Sequence, residues 1–160
     1  MSRQLWVDMD GVLADFDTGY HAAFGGIKPS RTLQDHALDP VEWDKVNAFP
    51  NFFEHLPAMP GMRTLWAHIR RYHPVILTGV PPEVPAAVDH KMAWVERYLG
   101  KHVPVVGCRS REKYTFCKPG DILIDDWTKY MSLWRRAGGI WITHTSADET
   151  ISILNSIGVS

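Results

Sequence analysis

The stretch Leu5-Trp6-Val7-Asp8-Met9-Asp10-Gly11 decides the fold of this 160-residue chain. Its first three residues form a short apolar run bounded by a turn signal, a pattern that predicts a buried β-strand. Side chains two residues apart on a strand share a face, so Asp8 and Asp10 are expected to leave the strand end on the same side. Gly11 then allows the chain to turn sharply away.

Two carboxylates at one strand end repel each other unless a cation or a shared proton compensates them. Asp8 and Asp10 therefore predict a site for Mg²⁺, which prefers hard oxygen ligands and keeps waters that a phosphate can replace. The alternative is that both are ordinary turn residues, since Asp is common in turns. Turn chemistry does not explain why two acids follow the apolar strand directly, with Gly and a further apolar pair after them.

Composition limits the possible classes of protein. The chain is long enough for one domain with a small insertion, and its 45% hydrophobic and 22% charged residues are typical of a globular protein. A formal net charge of −1 disfavours a polynucleotide as the main partner but not a mononucleotide. Residues 1–4 show no signal-peptide pattern and no apolar run is long enough to span a membrane, so we expect a cytoplasmic protein with two reduced thiols, Cys108 and Cys117.

Strands and helices alternate from Pro60 onward, which predicts a parallel sheet covered by helices on both faces. The predicted strands are residues 4–8, 74–78, 103–106, 121–125 and 140–143. The predicted helices are residues 18–24, one beginning at Asp39-Pro40, one opened by Pro60-Gly61, 85–99, 129–137, and 148–156 capped by Ser146 or Asp148.

Two of these helices have a clear apolar period. The helix after Pro60-Gly61 places four apolar residues on one face: Met62, Leu65, Trp66 and Ile69. In helix 85–99, which Gly100 is expected to end, the predicted inward face consists of Val88, Met92, Val95 and Leu99.

Polar residues follow three of the predicted strands: Asp8 and Asp10, then Thr78 with Gly79, then Asp125 and Asp126. Ligands of parallel sheets bind at the carboxyl ends of the strands, so these residues are expected to meet at one edge. At least one of Asp125 and Asp126 should join the Mg²⁺ site, although an Asp pair that caps the following helix is the alternative. The Thr78 hydroxyl and a backbone N–H at the same strand end are suited to phosphate oxygens.

These motifs carry a family resemblance. The segment from Val7 to Phe16 resembles the first motif of the haloacid dehalogenase (HAD) superfamily, and more narrowly that of the 5'(3')-deoxyribonucleotidases; Gly120-Asp121-Ile122-Leu123-Ile124-Asp125-Asp126 resembles the fourth motif. The resemblance implies an α/β, Rossmann-like (HAD-like) fold with a core of residues 1–16 and 60–160 and a small helical cap, 17–59, inserted after the first strand. Where this family has Thr-Ser, the chain has Thr78-Gly79 and lacks one side-chain contact to phosphate.

The resemblance also supplies two candidate lysines to balance the phosphate charge. Lys113 lies in Arg109-Ser110-Arg111-Glu112-Lys113, which resembles the third motif, Thr-Arg-Asp-Lys, and is the first choice. Lys91 lies in a stretch, His90 to Gly100, that resembles the family helix Glu-Lys-Tyr-x-Trp-Val-Glu, and it is the second choice. Any single Lys is more often a solvated surface charge.

The parts imply a mechanism in which Asp8 attacks phosphorus as a nucleophile and Asp10 acts as general acid and then base. The metal ligands are expected to be Asp8, Asp10, Asp125 and Asp126. Aromatic residues near the cap are candidates for stacking a nucleobase, namely Phe16, which is first by resemblance, Phe52, Phe53 and Trp43. Alternatively, these rings form the core of the cap itself.

The expected function is a Mg²⁺-dependent phosphomonoesterase for deoxyribonucleoside monophosphates, without polynucleotide or membrane partners. Two alternatives remain: a HAD phosphatase for another small phosphate such as a sugar phosphate, and a phosphate-binding module without turnover. The family resemblance alone suggests a homodimer.

Overall fold

The computed structural model describes residues 3–25 and 41–159. Its five strands are β1 Leu5–Val7, β2 Val75–Gly79, β3 Val105–Cys108, β4 Ile122–Asp125 and β5 Ile140–Thr143. All neighbouring pairs are parallel, and the order across the sheet is β3-β2-β1-β4-β5. The predicted strands are confirmed, with β3 beginning two residues later than expected.

The α-helices are α1 Phe16–Phe24, α2 Trp43–Ala48, α3 Met62–Ile69, α4 Ala87–Tyr98, α5 Met131–Arg136 and α6 Ala147–Ser156. Short 3₁₀ helices cover Phe53–His55, Arg70–Tyr72, Ser110–Phe116 and Thr128–Tyr130. Ser146 caps α6 by accepting from the backbone N–H of Glu149, which settles the choice between Ser146 and Asp148. Among the described helices none has the length and apolar character needed to cross a bilayer.

Side chains alternate between the two faces along each strand, so both faces of the sheet carry apolar residues. Helices cover both of these faces. One face presents Val7, Ile76 and Ile124 to a large core that includes buried residues of α3, α4 and α6. The opposite face presents Leu77, Leu123 and Trp141, with Trp6 beside them, to Trp134 of α5. The prediction of an α/β fold with helices on both faces is confirmed.

The inward face of α4 was predicted only in part: Val95 is buried as expected and Leu99 packs against the core, but Met92 does not face inward. Its buried residues are Ala87, Lys91, Trp94 and Val95, whereas Met92 is 48% exposed. The helix is rotated because polar groups determine its contacts: the Trp94 indole N–H donates to the Leu56 carbonyl at 2.8 Å, and Lys91 reaches the carboxyl ends of the strands. An apolar period cannot detect a lysine that is fully buried.

The described part of segment 17–59 packs against the sheet through aromatic rings. Phe16 lies at the centre, with ring centroids 5.7–6.1 Å from those of Tyr20, Trp43, Phe52 and Phe53. These rings share one continuous core with β1. The expected helix start at Asp39-Pro40 lies outside the described residues; α2 itself is preceded by Glu42.

Candidate active site

The register of the sheet brings three strand ends together. Val7 of β1 pairs with Ile76 of β2 and with Ile124 of β4, and the backbone N–H of Asp8 donates to the Ile124 carbonyl at 2.9 Å. Asp8 is therefore next to Asp125 across the β1–β4 pair. The predicted meeting of these strand ends at one edge of the sheet is what the structure shows.

The loop after β1 is a tight turn that only glycine permits at one position. Leu13 and Ala14 both donate backbone N–H groups to the Met9 carbonyl, at 2.8 and 2.9 Å. Gly11 has a φ of +87°, and a Cβ there would overlap the carboxylate of Asp126. Gly11 thus supplies a left-handed conformation and lets the loop approach the acids that follow β4.

The first group of functional side chains, called here the Lys113 cluster, consists of Asp8, Lys113, Asp125 and Asp126. The Lys113 ammonium lies 2.9 Å from Asp8 Oδ1 and 2.9 Å from Asp125 Oδ2. Carboxylate oxygens of Asp8, Asp125 and Asp126 all lie within 4.8 Å of one another. The four side chains are buried, with at most 7% of each residue exposed.

Burial and mutual repulsion control protonation in this cluster. Desolvation first, and then the Asp8 charge, raise the pKa of Asp125 to about 6, although Lys113 opposes the rise. Burial by itself would lower the pKa of Lys113, but the charges of Asp125 and Asp8 raise it above its ordinary value. Lys113 is therefore an ammonium at neutral pH, held between two acids.

Three buried carboxylates close to a single ammonium fit a divalent cation. All three offer hard oxygen atoms, the ligands that Mg²⁺ prefers. Asp8, Asp125 and Asp126 are the residues that would hold the ion. The structure places the carboxylate of Asp10, the fourth predicted ligand, outside this group.

The second group, called here the Lys91 cluster, consists of Asp10, Thr78, Gly79 and Lys91. The Lys91 ammonium donates to Asp10 Oδ2 at 2.9 Å, to Thr78 Oγ1 at 2.8 Å and to the Gly79 carbonyl at 2.7 Å. It also lies 4.6 Å from the ring centroid of Phe53. Lys91 is completely buried, so both candidate lysines belong to the site, each with its own carboxylate partners.

A cleft of about 560 Å³ opens beside the Lys91 cluster. Its wall contains Asp10, Gly79 and Ser110, together with Val80 and the two prolines after β2. Exposed charged residues complete it: Arg109, Arg111, Lys129 and the acid Glu83. Of the buried acids in the described part of the chain, only Asp10 lines this cleft, and the described rim carries three cations against one acid, Glu83, a balance that suits an anionic small molecule.

The predicted base-contacting residues divide into two kinds. Trp43 and Phe53 line the cleft. Phe16 and Phe52 are not among its lining residues; they are only 1% and 3% exposed and pack against other rings. Phe53 is itself 0% exposed, with the Lys91 ammonium over its ring. The geometry therefore favours half-buried Trp43 as the contact for a bound ring, and Phe16, Phe52 and Phe53 support it from behind.

Sequence reasoning assigned no role to several residues of the cleft and its surroundings. Trp127, Lys129 and Tyr130 line the wall after β4, and their aromatic-basic pattern was the available signal. His144, which follows β5, is buried and bonds through Nδ1 to the Thr150 hydroxyl at 2.7 Å, while its backbone N–H donates to the Asp125 carbonyl. Burial lowers the pKa of His144, and nothing in the local sequence marks it.

The fold and the site define a class: HAD-like α/β proteins with buried acids and lysines at the carboxyl ends of a parallel sheet. Within it, the chain belongs to the family described as "5' nucleotidase, deoxy (Pyrimidine), cytosolic type C protein", whose model matches residues 2–151. This is a family of phosphoric monoester hydrolases of the 5'-nucleotidase type.

Two individual proteins are similar to the chain. A Vibrio phage KVP40 protein named "Putative 5'(3')-deoxyribonucleotidase" is 30% identical over 129 residues, which cover 78% of this chain and 66% of that protein. The chain thus matches just under two thirds of that relative's length. A hydrolase from Streptococcus pneumoniae TIGR4 superposes with a TM-score of 0.52 at 17% identity, covering 97% of this chain and all of the other. The second likeness concerns the fold alone.

Proposed function

We propose that this chain is a Mg²⁺-dependent phosphomonoesterase that dephosphorylates deoxyribonucleoside monophosphates through an aspartyl-phosphate on Asp8. The observation that carries the proposal is the Lys113 cluster, in which Asp8 is buried beside Lys113 and two further acids. Asp8 lies at the carboxyl ends of the parallel strands, where ligands of such sheets bind. A buried carboxylate in contact with an ammonium is suited there to nucleophilic attack on an anionic phosphate. Family membership and the named phage relative support the substrate class.

In the first step a carboxylate oxygen of Asp8 forms a bond to phosphorus, and the bond between phosphorus and the ester oxygen breaks. Asp10, which must enter the cycle protonated, gives its proton to the departing alcohol oxygen. In the second step Asp10 takes a proton from water, whose oxygen attacks the aspartyl-phosphate and releases inorganic phosphate and the free Asp8 carboxylate. Lys91 holds Asp10 in place through the bond at 2.9 Å.

Charge on the transferred group must be balanced from the protein side. Lys113 is fixed between Asp8 and Asp125 and supplies one positive charge. Mg²⁺, when bound by Asp8, Asp125 and Asp126, supplies Lewis-acid charge neutralisation for the phosphoryl oxygens. Thr78 anchors Lys91 at the end of β2, next to the place where the phosphate would sit.

The substrate is proposed to enter through the cleft, which is the size of a small ligand rather than of a polymer. Trp43 would contact the base, with the buried Phe53 ring behind it, and Arg109 and Arg111 would attract the anion. Segment 17–59, which contributes Trp43 and Phe53, would act as the cap that excludes water during turnover.

The test is phosphate release from a panel of deoxynucleoside and ribonucleoside 5'-monophosphates, 3'-nucleotides and sugar phosphates, with Mg²⁺ and with chelator. We expect release from deoxynucleotides that needs Mg²⁺ and falls on the order of 10³-fold or more in Asp8→Asn. Asp44→Asn, on the exposed side of α2, is the matched control and should retain activity.

The other outcomes separate the alternatives. Release from sugar phosphates alone would keep the mechanism and reject the nucleotidase assignment. Absence of Asp8-dependent release from every phosphomonoester, with inorganic phosphate still bound, would favour a phosphate-binding module and reject the proposed function.

A further inference from the structure

The last residue of β2, Gly79, lies against the side chain of Ser110. Gly79 follows Thr78 as the last residue of the strand and has no side chain. A Cβ built at position 79 would overlap the hydroxyl oxygen of Ser110, with the Ser110 Cβ only 3.4 Å away. The Ser110 hydroxyl therefore occupies the space in which a side chain of residue 79 would begin.

The sheet register fixes this arrangement. Gly79 pairs with Cys108 of β3, and the backbone N–H of Val80 donates to the Cys108 carbonyl at 2.7 Å. The chain then passes Arg109 and enters the 3₁₀ helix Ser110–Phe116. The same helix carries Lys113, three residues further on, so Ser110 is held by an element that is anchored to Asp8 and Asp125.

The Ser110 hydroxyl is available for a ligand. Thr78 Oγ1 and the Gly79 carbonyl both accept hydrogen bonds from Lys91. Within residues 3–25 and 41–159, the hydroxyl of Ser110 makes no hydrogen bond to protein, and the residue is half-buried in the wall of the cleft beside Asp10 and Gly79. A hydroxyl in such a position is an effective donor to a phosphate oxygen.

We propose that the Ser110 hydroxyl binds a phosphate oxygen of the substrate, and so supplies from the 3₁₀ helix after β3 the contact that Gly79 does not supply from β2. This inference rests on the proposed function, since it names a substrate contact of the same site. The absence of a side chain at Gly79 leaves this place to the Ser110 hydroxyl, which would have to rotate away from a side chain there.

Because positions 79 and 110 share one space, a hydroxyl for the phosphate can be supplied from either residue. In Gly79→Ser alone the Ser110 hydroxyl can rotate away and the new hydroxyl can replace it, so this variant should bind phosphate about as well as wild type. In the double variant, Gly79→Ser with Ser110→Gly, residue 79 supplies the only hydroxyl at this place. No glycine of positive φ is involved at position 79, so a serine there is compatible with the backbone.

The test measures inorganic phosphate binding by calorimetry with Mg²⁺ present, and KM and kcat with the best deoxynucleotide. For Ser110→Ala we expect the Kd for phosphate and the KM to rise about 10-fold or more, which is the effect of one hydrogen bond to a charged group. Because the contact exists in the bound substrate as well as the transition state, kcat should change less than KM. Ser110→Thr should retain affinity.

The decisive comparison is between Ser110→Ala and the double variant, which should return the phosphate affinity to within about 3-fold of wild type, while Ser110→Ala does not. Ser132→Ala, on the exposed side of α5, is the control and should bind as wild type. Thermal unfolding identifies variants that fail to fold.

Unchanged phosphate affinity in a folded Ser110→Ala protein would overturn the inference, as would a folded double variant that binds no better than Ser110→Ala. Failure of the proposed function has a different signature. A wild-type protein that binds phosphate but releases none from any substrate would reject turnover, and the phosphate affinities of the same variants would still decide the role of Ser110.

Discussion

The Lys113 cluster and the Lys91 cluster use the same ion-pair chemistry for different purposes. Both bury an ammonium 2.9 Å from a carboxylate at the carboxyl ends of the strands. The Lys113 cluster contains three carboxylates and one ammonium, which gives a formal charge of −2 when all are ionised. The Lys91 cluster contains one carboxylate and one ammonium and is formally neutral.

This difference in charge assigns the two clusters their roles. A buried charge of −2 is costly without a divalent cation, so the Lys113 cluster is suited to a metal and a phosphate. A neutral pair with a hydroxyl and a carbonyl as further partners is suited to holding one carboxylate, Asp10, in a fixed position. Identical lysines thus serve different chemistry because of what surrounds them.

The largest expected effect is a difference between the two clusters in how far Mg²⁺ restores stability after the lysine is replaced. Lys113→Met and Lys91→Met should each lower the free energy of unfolding by about 3–5 kcal/mol in chelator, because each leaves a buried charge without its partner. Saturating Mg²⁺ should recover much of the loss in Lys113→Met, where the cation replaces the ammonium among three acids. It should recover none in Lys91→Met.

Urea titrations with Mg²⁺ and with chelator give these values. Lys101→Met removes an 87%-exposed lysine that lies 3.8 Å from Glu96 and should change little. Equal Mg²⁺ rescue of both buried-lysine variants would show that the charge difference does not determine the roles.

A smaller effect concerns pH in the metal-free protein. The pKa of Asp125 is about 6 in the folded protein, from burial and the Asp8 charge, against about 3.9 in an unfolded chain. The folded state therefore holds this proton more tightly. The proton on Asp125 thus contributes to the free energy of unfolding. This contribution is fully present below about pH 4 and is lost as the pH rises to about 6, by up to about 3 kcal/mol.

Unfolding free energies in chelator between pH 4 and 6 should thus fall less in Asp125→Asn than in wild type, while Asp44→Asn keeps the wild-type slope. With saturating Mg²⁺ the wild-type slope should reverse, because the cation binds the ionised carboxylate. Identical slopes for Asp125→Asn and wild type in chelator would contradict the assignment of the raised pKa to Asp125.

The smallest expected effect is on KM, and it shows whether the base of the substrate lies beside the Lys91 cluster or the Lys113 cluster. Asp10, Phe53 and Trp43 share the wall of one cleft, so the base should lie on the Lys91 side. Trp43→Leu should raise the KM for a deoxynucleotide roughly fivefold, near the lower end of measured base-stacking effects. Trp66→Leu, at a separate surface depression, should leave KM unchanged; a similar rise in both variants would reject this placement.

The sequence was most informative where polar residues interrupt a strong apolar pattern. Asp8, Asp125 and Asp126 follow buried strands directly, so the parallel topology was enough to place them together. It was least informative on α4, where the apolar period predicted Met92 inside and the structure buries Lys91. Burial of a lysine depends on a carboxylate from another strand, which no local period records.

The amino-acid sequence by itself determined the order of strands and helices, the parallel sheet and the acidic strand ends, because these follow from local periodicity and turn residues. The tertiary structure alone decided that both lysines are buried, that Asp10 belongs with Lys91 rather than with the other acids, and that Ser110 fills the space beside Gly79. These are contacts between segments far apart in sequence. Their distances depend on strand register and helix rotation, which packing of the whole chain fixes.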